Sequence, residues 1–244
     1  MTDILSDYAI SFIETNPSSQ PFVAFIAQKA SHPEVHPNKI RSFPPAPGDE
    51  GLYQGETLQR SPSWRAPVSD KPALARPFDF SDPRSPPGGL PDSVIFDRLR
   101  MLSAVDRSIG RLRKALSDNG QIEDTIFVVT SDQGFFYGEF GLGQERRLAY
   151  DPSIRIPLII SYPRMINKSD VSDALLSNVD MAPTLLEMAG AELPNNLDGK
   201  SFLQTLKEPK TSIRDAIFIE YYSDVEFPRI KSMGYRAVRT KYLK

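Results

Sequence analysis

Asp132 and Gln133 stand side by side at the end of an apolar run, IFVVT, with Gly134 directly after them. A carboxylate next to a neutral amide oxygen suits a hard divalent cation such as Ca²⁺ or Mg²⁺ better than zinc. A short way downstream, Arg146 and Arg147 offer planar guanidinium forks. Such forks clamp oxyanions through charge-assisted, often bidentate hydrogen bonds. His32, one of two histidines, follows another apolar run and can donate or accept a proton near neutral pH. The chemistry these residues suggest is a hard metal ion holding an oxyanion, with proton transfer close by. Each has a plainer alternative. Asp132 can cap the turn before Gly134, His32 and Lys29 can be solvated loop residues, and Glu145 and Asp151 can neutralise the arginines. Two oxygen donors do not fill the roughly 6–8 positions calcium takes, so further ligands must come from elsewhere.

The elements that must position these residues are legible as periodicities. DILSDYAISFIET has apolar residues at helical spacing and predicts a short amphipathic helix. PFVAFIAQ, a continuous apolar run, predicts a strand buried on both faces. Residues 33–91 are proline-rich and read as an irregular surface excursion, anchored by Phe43, Tyr53, Trp64 and Phe78. Asp92 is expected to cap a long helix whose stripe is Ile95, Leu99, Leu102, Val105, Ile109, Leu112 and Leu116, with Gly120 as its stop. TIFVVTSD and RIPLIISYP read as strands, VDMAPTLLEMAG as a helix with Asp180 near its start, and AIFIEYY and GYRAVRT as closing strands. Strands alternating with helices predict an α/β fold: a mostly parallel central sheet flanked by helices. In such open sheets ligands gather beyond the carboxyl ends of the strands, where KASH and SDQG fall.

Composition narrows the classes. The 244 residues carry a formal net charge of −2, which gives no pull toward nucleic acid or an anionic membrane. No apolar run is long enough to span a bilayer, and the first residues lack the pattern of a signal peptide, so the compartment stays open. The absence of cysteine excludes a disulfide framework, a thiolate zinc site and a cysteine nucleophile within these residues. GEFGLG lacks the Lys-Ser/Thr of a phosphate loop, and there is no GxSxG elbow.

Taken in order, several blocks resemble the sulfatases of the alkaline phosphatase superfamily. They are PFVAFIAQKASH, VSDKP, SAVDRSIGRLRKAL with DTIFVVTSDQG, GEFGLGQERRLAYDPSIRIPLIISYP, VDMAPTLLEMAG with DGKSF, and EYYSDVEFPRIKSMGYRAVRT. The resemblance implies an alkaline phosphatase-like fold and a sulfuric ester hydrolase. It implies that Asp132 and Gln133 ligate the active-site divalent cation, usually calcium. It places His32 at the family histidine that contacts the sulfate ester and helps protonate the leaving oxygen. Arg146 stands where many members have a sulfate-binding lysine; an Arg keeps the charge but is a poor proton donor. Asp151 and Pro152 replace a usual pair of glutamates.

One family feature has no counterpart here. Sulfatases use a formylglycine made within a C/S-x-P-x-R motif near the domain start, with further metal-binding aspartates still closer to the N-terminus, and this sequence has no such motif. The expectation is therefore a partial sulfatase domain over residues 1–244, incomplete at both ends. Residues 33–91 would be its excursion, and residues 92–244 its central helix, metal-site strand and later αβ units. As it stands the chain would not turn over. The expected partner is a small-molecule or glycan sulfate ester, with no nucleic acid and no membrane. The alternatives are a phosphodiester or phosphonate monoester hydrolase of the same superfamily and a non-catalytic remnant.

Overall fold

A computed structural model describes residues 1–37, 41–71, 74, 89–143, 145–222 and 234–242. Phe78 and Pro72, named above, lie outside these, as do all the residues between Tyr222 and Gly234. The described residues fall into two units. The first is built mainly from Met1–Thr125 and Val129–Ile159, the second from Ile126–Val128, Ile160–Asp224 and Met233–Lys244.

The first unit is organised by two helices, α1 (Thr2–Thr15) and α2 (Asp92–Asp118). They pack through small residues: the Ser6 and Ser108 hydroxyls meet at 2.5 Å, and Asn119 Nδ2 donates to the Ile13 carbonyl at 2.8 Å. Arg111 reaches Asp7 at 2.5 Å on the solvent side. The predicted α2 is present, but its buried stripe is rotated from the expected one. Ile95, Leu112 and Leu116 are buried as expected, joined by Arg98, Met101, Ala104, Ser108 and Ala115. Leu99, Val105 and Ile109 are only half-buried, and Leu102 is 43% exposed. Both sides of α2 are apolar, and α1 takes the one whose Ala and Ser residues permit close approach. Asp92 does not cap the helix. Pro91 occupies the N-cap, no side chain bonds the first turn, and the Asp92 carboxylate pairs with Arg60 instead. Proline's fixed φ favours a helix start and removes one unbonded N–H.

PFVAFIAQ departs from expectation. Residues 21–29 have no regular secondary structure and pair with no strand among the described residues, and Val23 and Phe25 are 96% and 93% exposed. A run apolar on both faces is coded for burial on both faces. Its backbone finds no ladder here, so it is not the buried strand predicted. Phe22 alone gains an aromatic contact, edge-on to Phe12 at 5.4 Å.

The described part of the proline-rich stretch holds one small antiparallel pair, β1 (Glu34–Val35) and β2 (Arg41–Ser42). Several of its described residues are tied to α2. Asp49, 6% exposed, takes both guanidinium nitrogens of Arg107 at 2.8 Å. Tyr53 stacks on Phe96, and Arg100 donates to the Leu52 carbonyl at 2.9 Å. Trp64 bridges to Glu139 and lies under the guanidinium groups of Arg60 and Arg65.

The remaining strands pair in twos: β3 (Phe127–Thr130) with β4 (Leu158–Ser161), and β5 (Ala216–Tyr221) with β6 (Tyr235–Thr240), the latter antiparallel. Among the described residues no wider sheet joins them. The four-residue helix α3 (Asp151–Ile154) precedes β4.

In the second unit, helices α4 (Met181–Met188) and α5 (Leu203–Lys207) surround a fully buried carboxylate, Asp180. Arg214 grips both its oxygens, and the Ser177 and Lys200 backbone N–H groups donate to it at 2.7 and 2.8 Å. Burial alone would raise this carboxyl. The bonds from Arg214, Lys200 and Ser177 outweigh it and hold Asp180 below the ordinary carboxylate range.

Candidate cation and oxyanion site

β3 ends at Thr130, whose hydroxyl donates to the Pro157 carbonyl at 2.9 Å beside β4. The next residues turn sharply. Ser131 Oγ donates to the Gln133 carbonyl at 2.9 Å and lies 3.4 Å from Asp132 Oδ1. Gly134 then passes so close to the start of α3 that its N–H donates to Ser153 O at 2.7 Å, and Phe135 N–H to Pro152 O at 2.6 Å. A Cβ at position 134 would collide with Pro152 O and lie 2.9 Å from the carbonyl carbon. This position requires glycine because of that contact, and the contact fixes where Asp132 and Gln133 project.

The arginine pair is divided by its neighbour. Glu145, fully buried, accepts at Oε1 from the backbone N–H groups of Arg146 and Arg147, both at 2.8 Å, and from Arg147 Nη1 at 3.2 Å. Ser153 Oγ donates to the Arg146 carbonyl at 2.5 Å. The neutralised-pair alternative therefore holds for Arg147. Arg146 makes no ion pair among the described residues. Burial, then the nearby Arg147, lowers its basicity, while Glu145 and Asp132 act the other way and Arg98 adds to the lowering. An arginine so placed remains a cation, and Asp132 is among the carboxylates whose field it feels.

His32 lies in a turn closed by its own N–H donating to Lys29 O at 2.7 Å. Its Nδ1 is 2.9 Å from the Pro33 carbonyl. A carbonyl only accepts, so Nδ1 carries hydrogen and Nε2 is the nitrogen left for a ligand. Lys29 is exposed, in keeping with the plainer alternative.

Sequence reasoning overlooked Arg98. It comes from the buried face of α2, is 7% exposed, and donates from Nη1 to Ser31 O at 2.9 Å and from Nε to Tyr137 Oη at 3.1 Å. Its only sequence signal is a cation three residues after Ile95 and three before Met101, within an apolar stripe. Backbone contacts connect the Asp132 turn to the arginine segment: Gly134 N–H donates to Ser153 O, Ser153 Oγ donates to Arg146 O, and Phe136 N–H donates to Glu145 O. Arg98 touches both the Ser31 carbonyl, one residue before His32, and the Phe135 ring, three residues after Asp132.

As metal donors, Asp132 and Gln133 fit a hard cation: the Asp132 side chain is exposed, with only the long Ser131 contact and no ion pair among the described residues. No group of three Asp, Glu, His or Cys side chains converges there or elsewhere among the described residues. Two donors satisfy part of a calcium shell.

Comparison with known proteins agrees with the block order. Residues 138–244 match the family described as N-sulphoglucosamine sulphohydrolase, C-terminal. The chain is 29% identical to an N-acetylglucosamine-6-O-sulfatase of Bacteroides thetaiotaomicron, over 100% of this chain and 52% of that protein. It is 28% identical to N-acetylglucosamine-6-sulfatase of Bos taurus, over 92% and 39% respectively. The chain spans about half the length of these relatives or less. Among solved structures, a protein in complex with its substrate D-glucosamine-2-N,6-O-disulfate superposes with a TM-score of 0.81 at 26% identity, over 98% of this chain and 59% of that one. A phosphonate monoester hydrolase from Silicibacter pomeroyi shares the fold, with a TM-score of 0.61 at 24% identity over 98% and 51%.

Proposed function

This chain belongs to the sulfatase family of the alkaline phosphatase-like fold, and from that premise we propose that it supplies the oxyanion- and cation-binding part of a hydrolase for a 6-O-sulfated amino sugar. Family membership implies a metal-dependent enzyme. The sugar class rests on the sulfated glucosamine substrates named for its relatives. The observation that carries the reading is the division of labour at Glu145, which ties up Arg147 and leaves Arg146 without an ion pair beside the Asp132 turn.

In this reading Arg146 holds the sulfate oxygens with its planar fork, and Asp132 with Gln133 contributes two ligands to a divalent cation, calcium by the hardness of the donors. Bound there, such a cation supplies a fixed positive charge that polarises the ester oxygens. His32 works through Nε2. Protonated, it gives its proton to the departing sugar oxygen, while the Pro33 carbonyl keeps the ring in one orientation. Preorganised charge of this kind needs no rearrangement when the ester bond breaks. The sequence contains no C/S-x-P-x-R, so these residues alone bind and orient without a nucleophile for sulfur.

The experiment is a titration of the pure chain, with calcium, by D-glucosamine 6-sulfate and by unsulfated glucosamine. The reading expects saturable binding of the sulfated sugar alone. Equal binding of both sugars, or of neither, overturns it. The phosphonate hydrolase alternative is tested by adding a phosphonate monoester as a third ligand.

A further inference from the structure

Arg98 is a buried cation without a carboxylate partner among the described residues. Three aromatic rings surround it: the guanidinium carbon lies 4.0 Å from the Phe135 ring centre, 5.3 Å from Phe43 and 5.4 Å from Tyr137. Burying a charge is costly unless something compensates it. Here the compensation comes from ring faces and two neutral oxygens. The placement of those partners is informative. Ser31, whose carbonyl takes the Nη1 hydrogen bond, immediately precedes His32. Phe135 and Tyr137 belong to the segment that begins with Asp132 and Gln133, and Phe43 belongs to the excursion.

We propose that Arg98 is a positioning residue that fastens the His32 turn to the Asp132 loop and so sets the approach of the His32 ring to the site. The proposal rests on the reading above, in which His32 and Asp132 serve one substrate. A leucine or methionine at position 98 could fill the same space. Only a long, planar, multiply donating side chain can hold the Ser31 carbonyl and the Tyr137 hydroxyl while lying flat between rings. An ordinary core residue has no such need.

The test is backbone hydrogen exchange on the isotopically labelled chain, comparing Arg98→Met and Arg98→Lys with the parent. In the parent the His32 N–H is protected by the Lys29 carbonyl. Losing one charge-assisted hydrogen bond at its neighbour should speed His32 exchange by about tenfold in Arg98→Met. The amides of Leu112 and Ala115, farther along the same helix, should keep their parental rates. Arg98→Lys, which retains a cation and one donor near Ser31, should restore part of the protection. A uniform rise over all of α2 would mark Arg98 as a packing residue and overturn the proposal, as would unchanged His32 exchange. Should Arg98→Met fail to fold, Arg98→Lys decides alone: faster exchange confined to residues 29–33 supports the role, and parental exchange there overturns it. Sugar binding by the parent chain is scored separately. Its absence removes the functional reading and leaves the exchange result intact.

Discussion

Glu145 Oε1 accepts the backbone N–H of Arg146 and that of Arg147, yet only Arg147 also gives it a side-chain hydrogen bond. Two adjacent, chemically identical residues thereby acquire different roles. Arg147 is held to Glu145 by its side chain as well as its backbone, whereas Glu145 takes only the backbone N–H of Arg146.

The two arginines should accordingly separate by experiment. Arg146→Ala is expected to weaken binding of glucosamine 6-sulfate by roughly 10- to 100-fold, the worth of one or two charge-assisted hydrogen bonds, with little loss of stability. Arg147→Ala should show the reverse, lowering the unfolding midpoint more than it lowers affinity. Calorimetric titration paired with denaturant unfolding checks both. Equal effects of the two substitutions on binding would contradict the division.

Gly134→Ala should damage the site from behind. The added methyl collides with Pro152 O, a backbone atom that cannot rotate away. The loop must shift, at a cost of about 1–3 kcal/mol. Urea unfolding should report that loss, and the same variant should bind the sulfated sugar less well although it alters no ligand-facing side chain.

Calcium should raise the thermal midpoint of the parent chain only slightly, since Asp132 and Gln133 offer two of the roughly 6–8 ligands the ion takes. Asp132→Ala should abolish the response, and Gln133→Ala should reduce it. A calcium shift that survives Asp132→Ala would place the cation elsewhere.

The Asp180–Arg214 pair makes a pH prediction for the second unit. Asp180 is held below the ordinary carboxylate range, so its contribution is fully present above that range and is lost as pH falls through the lowered folded value. Unfolding midpoints followed from neutral pH to below about pH 4 should fall more steeply for the parent than for Asp180→Asn. At neutral pH that variant should already be destabilised by about 3–5 kcal/mol, because Arg214 is left without its counter-charge in a largely buried position. Parallel curves would show that Asp180 does not govern acid sensitivity.

Periodicity made α1, α2, α4 and the β5–β6 pair readable, because each repeats an apolar spacing over several turns or alternations. It misplaced the buried face of α2 because apolar residues lie on both sides of that helix. Ser108 and Ala104, too small to look like core, decide which side α1 takes. It failed for PFVAFIAQ because a strand depends on neighbours that local pattern cannot supply. Asp132, Gln133, Arg146 and His32 stand out as candidates by residue type and block order. Arg98 and Asp180 were missed as functional and structural centres since a lone charge reads as surface. Only three-dimensional packing shows that one lies between aromatic rings and the other is wholly enclosed.

The bidentate clasp of Asp49 by Arg107 has an evolutionary corollary. With the excursion anchored there, at Leu52 and Tyr53, and again from Arg60 to Trp64, residues 54–59 form a short arc between fixed points. Substitutions or insertions within that arc leave the anchors on α2 and at Trp64 in place. A chain of this design can vary one surface segment while the helix that carries Arg98 keeps its place.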